Sequence, residues 1–341
     1  MTSLTFKRPG KLYLAGEYAV VKGNYAILFP TKKTMDLTIQ SSDYFSFAGV
    51  PFKLNAKLEV SLGLHYVQQA INIAHTYLDQ EGKTIKPYAI ETTNHLEIPK
   101  KPKLGIGTSA MITILLIEAI LGFHDVSLDT LTLYKLGVLA QINHYPDSSF
   151  GDLALVASSD SIIYQPFEER FRKRLISEGL KVLKLPWPNL TIKTIDLLSV
   201  PMLIIHTNEA ASSLSLVKKV MKYEDTLAFI EFANQSNFYV NALINAQNNL
   251  EFMAVIKKLN HNLKALETLT KTKLFTKNMV DIEKIIHDYH GVSKFSGAGG
   301  GDSMLAFFPD EKTKLSAQLA IEKSYPILNH LIMEDDYEQK R

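Results

Sequence analysis

Lys103-Leu104-Gly105-Ile106-Gly107-Thr108-Ser109-Ala110 is a glycine-and-hydroxyl loop that runs directly into a strongly apolar stretch. The spacing predicts a helix from Ser109 to Leu121, with Thr108 or Ser109 as its N-terminal hydroxyl. A helix N-terminus presents unpaired N–H groups and the positive end of the macrodipole, so a loop narrowed to glycine there can seat phosphate. The same hydroxyls suit Mg²⁺, a hard cation that prefers oxygen and phosphate ligands. Simple helix capping is the plainer alternative. The stretch is neither a Walker loop, since it lacks GK[ST], nor a GxGxxG dinucleotide turn, since Ala110 stands where the last glycine would be.

Two further segments exceed what a bland fold requires. In Gly297-Ala298-Gly299-Gly300-Gly301-Asp302, four glycines fall in five positions. Such density implies positive φ angles or a backbone that closely approaches another group, and phosphate is the usual group because consecutive N–H donors form an anion-binding concavity. A flexible turn before the apolar strand expected at Ser303–Phe308 is the alternative. Upstream, Pro9-Gly10-Lys11-Leu12-Tyr13-Leu14-Ala15-Gly16-Glu17-Tyr18 reads as a strand with a lysine and a glutamate embedded in it. Charges in an apolar strand call for an edge position or a face open to a site.

Between these segments the periods are mixed. Met35–Ile39 alternates like a strand, while Leu62, Tyr66, Ala70, Ile73 and Tyr77 recur at helical spacing. A second helix is expected over Leu128–Asn143 and a strand over Ser161–Phe167. Beyond Pro186-Trp187-Pro188 and the strand Val200–His206 come four helical patterns, over 214–221, 223–243, 248–266 and 275–289. At 341 residues the chain has room for two domains, and the class expected is α+β in two parts, 1–190 and 191–341.

Bulk composition excludes several functions. Thirty-seven Lys and Arg stand against thirty-five Asp and Glu, a net charge of +2, so no global basic field is available to hold nucleic acid. Any anion must meet a local positive cluster. Zero cysteines remove disulfides, thiolate metal sites and cysteine nucleophiles. The richest apolar run, Met111–Phe123, contains Thr113 and Glu118 and falls short of a membrane span. Glu17 follows Lys7, Arg8 and Lys11 before any leader-like apolar region develops, so the expectation is a cytoplasmic protein.

In their order along the chain, PGKLYLAGEY at 9–18, GIGTSA at 105–110 and KFSGAGGGD at 294–302 resemble the three motifs of the GHMP kinase superfamily. Within it the resemblance is nearest to the bacterial phosphomevalonate kinases, through GEYAVV at 16–21, Phe150-Gly151-Asp152-Leu153-Ala154 and Ile163-Tyr164-Gln165-Pro166-Phe167. The resemblance implies a ribosomal-protein-like N-terminal domain that binds ATP and a ferredoxin-like C-terminal domain, with both substrates in the cleft between them. It implies ATP and Mg²⁺, and transfer of the γ-phosphoryl group to the phosphate of 5-phosphomevalonate, giving diphosphomevalonate and ADP on the mevalonate route to isoprenoids. Mevalonate kinase or another small-molecule GHMP kinase is the alternative within the class, and a catalytically silent nucleotide or metabolite sensor the alternative outside it.

The family match carries roles onto individual residues. Lys11 would meet the acceptor phosphate or the transferring group, and Asp152, which matches the aspartate that relatives with alcohol acceptors use as a base, would here orient Lys11 and Mg²⁺; a cap on the turn after Gly151 is its plainer alternative. Lys103, Gly105, Gly107, Thr108, Ser109 and Ala110 would hold the ATP phosphates, with Ser109 the Mg²⁺ ligand, since Gln141 stands near where relatives often place a metal-binding glutamate. Gly297, Gly299, Gly300 and Lys294 would form a phosphate and acceptor loop, joined by Ser212 and Ser213. Lys101 is a weaker phosphate contact. The partners implied are small molecules, with no nucleic acid and no membrane; oligomeric state is not legible.

Overall fold

The computed structural model describes residues 3–62, 64–96, 104–328 and 331. Its first sheet is organised by one long antiparallel pair, β1 (Ser3–Ala15) against β2 (Ala26–Ser41), running from Ser3 opposite Gln40 to Ala15 opposite Ile27 with register shifts between Pro9 and Lys11 and between Tyr13 and Ala15. On its other side β2 carries β5 (Tyr88–Asn94) along residues 35–41 and β6 (Ile162–Gln165) along residues 26–28. Short strands β3 (Ser46–Phe47) and β4 (Val50–Pro51) extend the sheet beyond β5, and β7 (Thr191–Thr194) extends it beyond β6. β1 pairs only with β2, so it is an edge strand, as its embedded charges suggested.

Four helices cover this sheet: α1 (His65–Gln80), α2 (Thr108–Phe123), α3 (Thr130–Gln141) and α4 (Gly151–Ser158). α2 and α4 lie on β1 and β2, while α1 and α3 pack outside α2. A helix that is apolar on all sides must be enclosed on all sides. Ten of the sixteen residues of α2 are accordingly buried, Ile114 to Ile117 completely. Arg8 ties the strand to this helix through a two-armed bond to Glu118 at 2.6 and 2.8 Å. α5 (Arg172–Glu178) follows β6 along the chain.

The second unit is built on β8 (Met202–His206), β9 (Val292–Phe295) and β10 (Ser303–Phe307), in the spatial order β8-β10-β9 and antiparallel throughout. A bridge from Ile205 to Ile327 lies outside the named strands. Strand, helices, hairpin, helix and bridge in that sequence give the ferredoxin-like arrangement. Its helices are α6 (Ser213–Val220), α7 (Leu227–Ile244), α8 (Asn249–Thr270), α9 (Lys277–Asp288) and α10 (Glu311–Ile321). Thr226, Asn248, Thr276 and Asp310 each cap the helix that follows by accepting a backbone N–H with the side chain.

Two details differ from the sequence reading. The boundary at 190/191 falls ahead of β7, whose residues 191–194 hydrogen-bond β6, so the chain leaves the first sheet only between 194 and 202. The units also share their interior: Val240, Leu243, Phe252 and Ile256 of α7 and α8 belong to the same buried cluster as the first sheet. β9 escaped the apolar pattern because Ser293 and Lys294 interrupt it.

Candidate active site

The edge of β1 is where the loops converge. At Gly10 the pairing with β2 is irregular, and the Lys11 N–H donates to the Ile106 carbonyl of the 105–110 loop at 2.8 Å. Two residues on, the Tyr13 N–H donates to Ser296 Oγ at 2.8 Å, and the Tyr18 hydroxyl donates to the Ala298 carbonyl at 2.5 Å. The strand and the turn after it therefore fix both glycine loops, the first from their own unit and the second from the other. Ser303 Oγ closes the junction with a 3.0 Å bond to the Leu104 carbonyl.

The 105–110 loop delivers an open helix end. Gly107, at φ 85°, is the N-cap of α2, and no side chain caps the helix. Thr108 and Ser109 are exposed, while Ala110 is buried beneath them. Capping therefore does not explain the two hydroxyls, and the first N–H groups of α2 are free of side-chain partners. Gly105 and Gly107 both have positive φ, and both are crowded: a Cβ at Gly107 would lie 2.8 Å from Lys11 Cγ, and one at Gly105 would lie 2.6 Å from the Asp302 side chain. One turn into α2, Thr113 Oγ1 accepts from Gln141 Nε2 at 2.7 Å, which places Gln141 beneath Ser109. Lys101 and Lys103 lie outside the described residues.

The 297–301 loop is built differently. A Cβ at Gly299 would meet the Leu274 carbonyl at 2.8 Å, at Gly300 Leu216 Cδ1 at 2.7 Å, and at Gly301 the Glu209 carbonyl at 2.8 Å. These three are glycine because protein packs on them. Gly297, at φ 91°, faces open space and is the position where a ligand can approach the backbone. Packing thus accounts for the missing side chains at Gly299 and Gly300, and the Gly300 N–H that was expected to serve phosphate already donates to the Leu274 carbonyl at 2.7 Å.

Lys294 also has another task. It is fully buried, and its ammonium is paired with the buried Glu17 carboxylate and donates to the Phe295 carbonyl at 2.6 Å. Burial depresses its pKa, and Glu17 opposes that shift. The lysine and glutamate that stood out in the first and third motifs thus neutralise each other across the seam between units. Neither is left to contact phosphate.

Asp152 is the opposite charge felt most strongly at Lys11. Asp152 lies in the first turn of α4, after Phe150 in the left-handed region, and its Oδ1 accepts the Leu153 N–H at 3.0 Å. The Lys11 ammonium is 5.0 Å from the Tyr13 ring. Burial lowers the Lys11 pKa, while the carboxylates of Asp152, then Asp302, then Glu17 raise it. Burial, with Asp152 adding to it, raises the Tyr13 pKa so far that its hydroxyl stays neutral; it lies 3.2 Å from Ser149 Oγ and against Gly151, where a Cβ would come within 2.5 Å. Ser212 is the N-cap residue of α6 and Ser213 its first residue; both are exposed on the helix whose Leu216 packs on Gly300.

The sequence reading passed over Tyr13, Ser296 and Ser303, and it gave Asp302 no role. A signal existed for the first: residues 11 and 13 share one side of a strand, so an edge that offers Lys11 also offers the Tyr13 amide.

The 105–110 loop, the glycine loop from the second unit and Lys11 thus converge on one site where two packed units meet. No protein-family model matches the chain. A phosphomevalonate kinase of a Streptomyces species (strain CL190) is 24% identical to it over 337 residues, covering 90% of each chain. A solved Listeria innocua protein, Lin0012, has a TM-score of 0.89 at 26% identity and covers 96% of each chain. Streptococcus pneumoniae phosphomevalonate kinase, solved in complex with phosphomevalonate and AMPPNP, has a TM-score of 0.83 at 24% identity, over 95% of this chain and 98% of that one. In fold and motif order the chain is similar to the GHMP kinases, and the named relatives it resembles in both sequence and structure are phosphomevalonate kinases.

Proposed function

We propose that the chain transfers the γ-phosphoryl group of ATP to the phosphate of 5-phosphomevalonate, giving diphosphomevalonate and ADP. The observation that carries this reading is the uncapped N-terminus of α2 beside the Lys11 side chain. Backbone N–H groups there would hold the ATP phosphates, and Lys11 would sit between donor and acceptor. The exposed Ser109 hydroxyl, which caps nothing, suits Mg²⁺; when bound with ATP the ion neutralises charge on the transferring group.

Lys11 would answer the larger obstacle, repulsion between two polyanions, which phosphoryl transfer overcomes mainly by positioning and electrostatic stabilisation. A phosphate monoester has a second pKa near about 6, so its attacking oxygen is mostly ionised at neutral pH and needs no strong base. Asp152 is accordingly assigned to orienting Lys11 rather than to taking a proton. Gly297 from one side and Ser212 and Ser213 from the α6 N-terminus would border the acceptor. Among the described residues no helix is long and apolar enough to cross a membrane. We read the enzyme as cytoplasmic because ATP, its donor, is a cytoplasmic metabolite.

The test is ADP release with Mg²⁺ and ATP in the presence of phosphomevalonate, mevalonate, homoserine or galactose. Release with phosphomevalonate is expected. Turnover with mevalonate alone would replace this reading with the mevalonate kinase alternative, and binding of ATP without turnover on any acceptor would favour a silent sensor.

A further inference from the structure

Asp302 ends the 297–301 loop with a negative charge, in a place where the proposed function calls for positive ones. A carboxylate beside an open helix N-terminus opposes the binding of phosphates. The chain nevertheless holds it by four bonds. Its N–H donates to the Glu209 carbonyl at 2.7 Å, its carbonyl accepts from the Thr207 N–H at 2.9 Å and Thr207 Oγ1 at 3.0 Å, and its Oδ1 accepts the Ala211 N–H at 3.1 Å. Its backbone is in the left-handed region, at φ 57°.

So fixed, the side chain lies on Gly105, where no Cβ would fit. Lys11 crosses the same loop two residues later, at Gly107, and its N–H holds the carbonyl of Ile106 between them. Asp302 from the second unit and Lys11 from the first therefore flank residues 105–107. The other groups facing Lys11 are Asp152 from α4, Glu17 from the turn after β1, and the Tyr13 ring on its own strand. Glu17 is paired with Lys294, and Asp152 and Asp302, one from each unit, are the carboxylates that weigh most on Lys11.

We propose that Asp302 is a positioning residue for the transfer reaction: the second unit sets its carboxylate on Gly105 of the phosphate loop and thereby supplies the counter-charge that holds the Lys11 ammonium in place. The second unit would then contribute to transfer through Lys11, a residue of the first.

The decisive variant is Asp302→Asn, which keeps an oxygen for the Ala211 N–H and removes the charge. Lysine titration is followed in the full chain by NMR of side-chain-labelled lysines, with Lys11 assigned by the signal lost in Lys11→Met. The Lys11 midpoint is expected to fall by about one pH unit, because one of its opposite charges is gone. Steady-state kinetics should show kcat down about tenfold with the KM for ATP within about twofold. Reciprocally, Lys11→Met should raise the titration midpoint of the Asp302 carboxyl. That variant leaves the four hydrogen bonds named above intact, so it decides the matter if Asp302→Asn does not fold. Unmoved midpoints, or a raised KM with unchanged kcat, would overturn the proposal. The kinetic arm rests on the kinase reading; the NMR arm needs no substrate, so a different acceptor would leave it intact.

Discussion

The two glycine loops look alike in sequence and differ in what their glycines do. In the 105–110 loop, Gly105 and Gly107 are bare so that Asp302 and Lys11 can lie across them, and the loop ends in a helix N-terminus without a side-chain cap. In the 297–301 loop, Gly299, Gly300 and Gly301 are bare so that Leu274, Leu216 and Glu209 can pack against them, and Gly297 alone faces open space. Glycine density marks close approach, and the approaching group can be protein as well as ligand. The first loop is expected to fail chemically when altered, the second to fail structurally.

The largest effect belongs to the residue both loops surround. Lys11→Met is expected to lower kcat by about 10²–10³-fold, the range seen when one electrostatic stabiliser of a transition state is removed, with an unchanged far-UV spectrum. Near-normal turnover in a folded variant would remove Lys11 from the mechanism.

The next pair tests the loops against each other. Gly299→Ala places a Cβ against the Leu274 carbonyl in a left-handed backbone, and should cost about 2–4 kcal/mol in urea unfolding while the surviving folded enzyme keeps its kcat. Gly107→Ala displaces the Lys11 side chain instead, and should lower kcat by about 10–100-fold with a stability loss of about 1–2 kcal/mol. Exchange of these two outcomes would reverse the assignment of the loops.

Both comparisons belong above pH 6.5. Burial holds the His75 pKa down at about 4, so its imidazole is neutral in the fold, with Nε2 bonded to the Tyr88 hydroxyl at 2.7 Å. The unfolded chain binds a proton there near pH 6.5, whereas the native chain does so only near 4. Stability is full above the higher value and should fall by about 3 kcal/mol as pH drops to the lower one. Chemical denaturation at pH 7 and pH 4.5, repeated with His75→Gln, measures that contribution. The smallest effect is expected at Gly297→Ala, with open space but a positive φ: about 1 kcal/mol of stability and a few-fold rise in the KM of one substrate.

Much of this architecture is legible from residue patterns, and the exceptions have physical causes. α2 announces itself because a helix buried on every side must be apolar on every side, and α7 to α9 carry both period and capping residues, whereas α10 is missed because its Leu315 and Leu319 face solvent. β9 is hidden because its Lys294 faces a partner, Glu17, that is 277 residues away in sequence. The same separation made Lys294 look like a phosphate ligand: a lysine beside a glycine loop reads as available until its counter-charge is placed. Asp302 was invisible as a participant for the converse reason, since only the fold brings it onto Gly105. Lys11 and Asp152 could be paired through the family motif, because motif order carries information about space that periodicity does not.

The most direct test of the central claim is the identity of the product. With ATP, Mg²⁺ and phosphomevalonate, ³¹P NMR should show the acceptor monoester signal replaced by a coupled pair from a new diphosphate, in step with ADP. A monoester formed from mevalonate, with phosphomevalonate left unconsumed, would contradict the account.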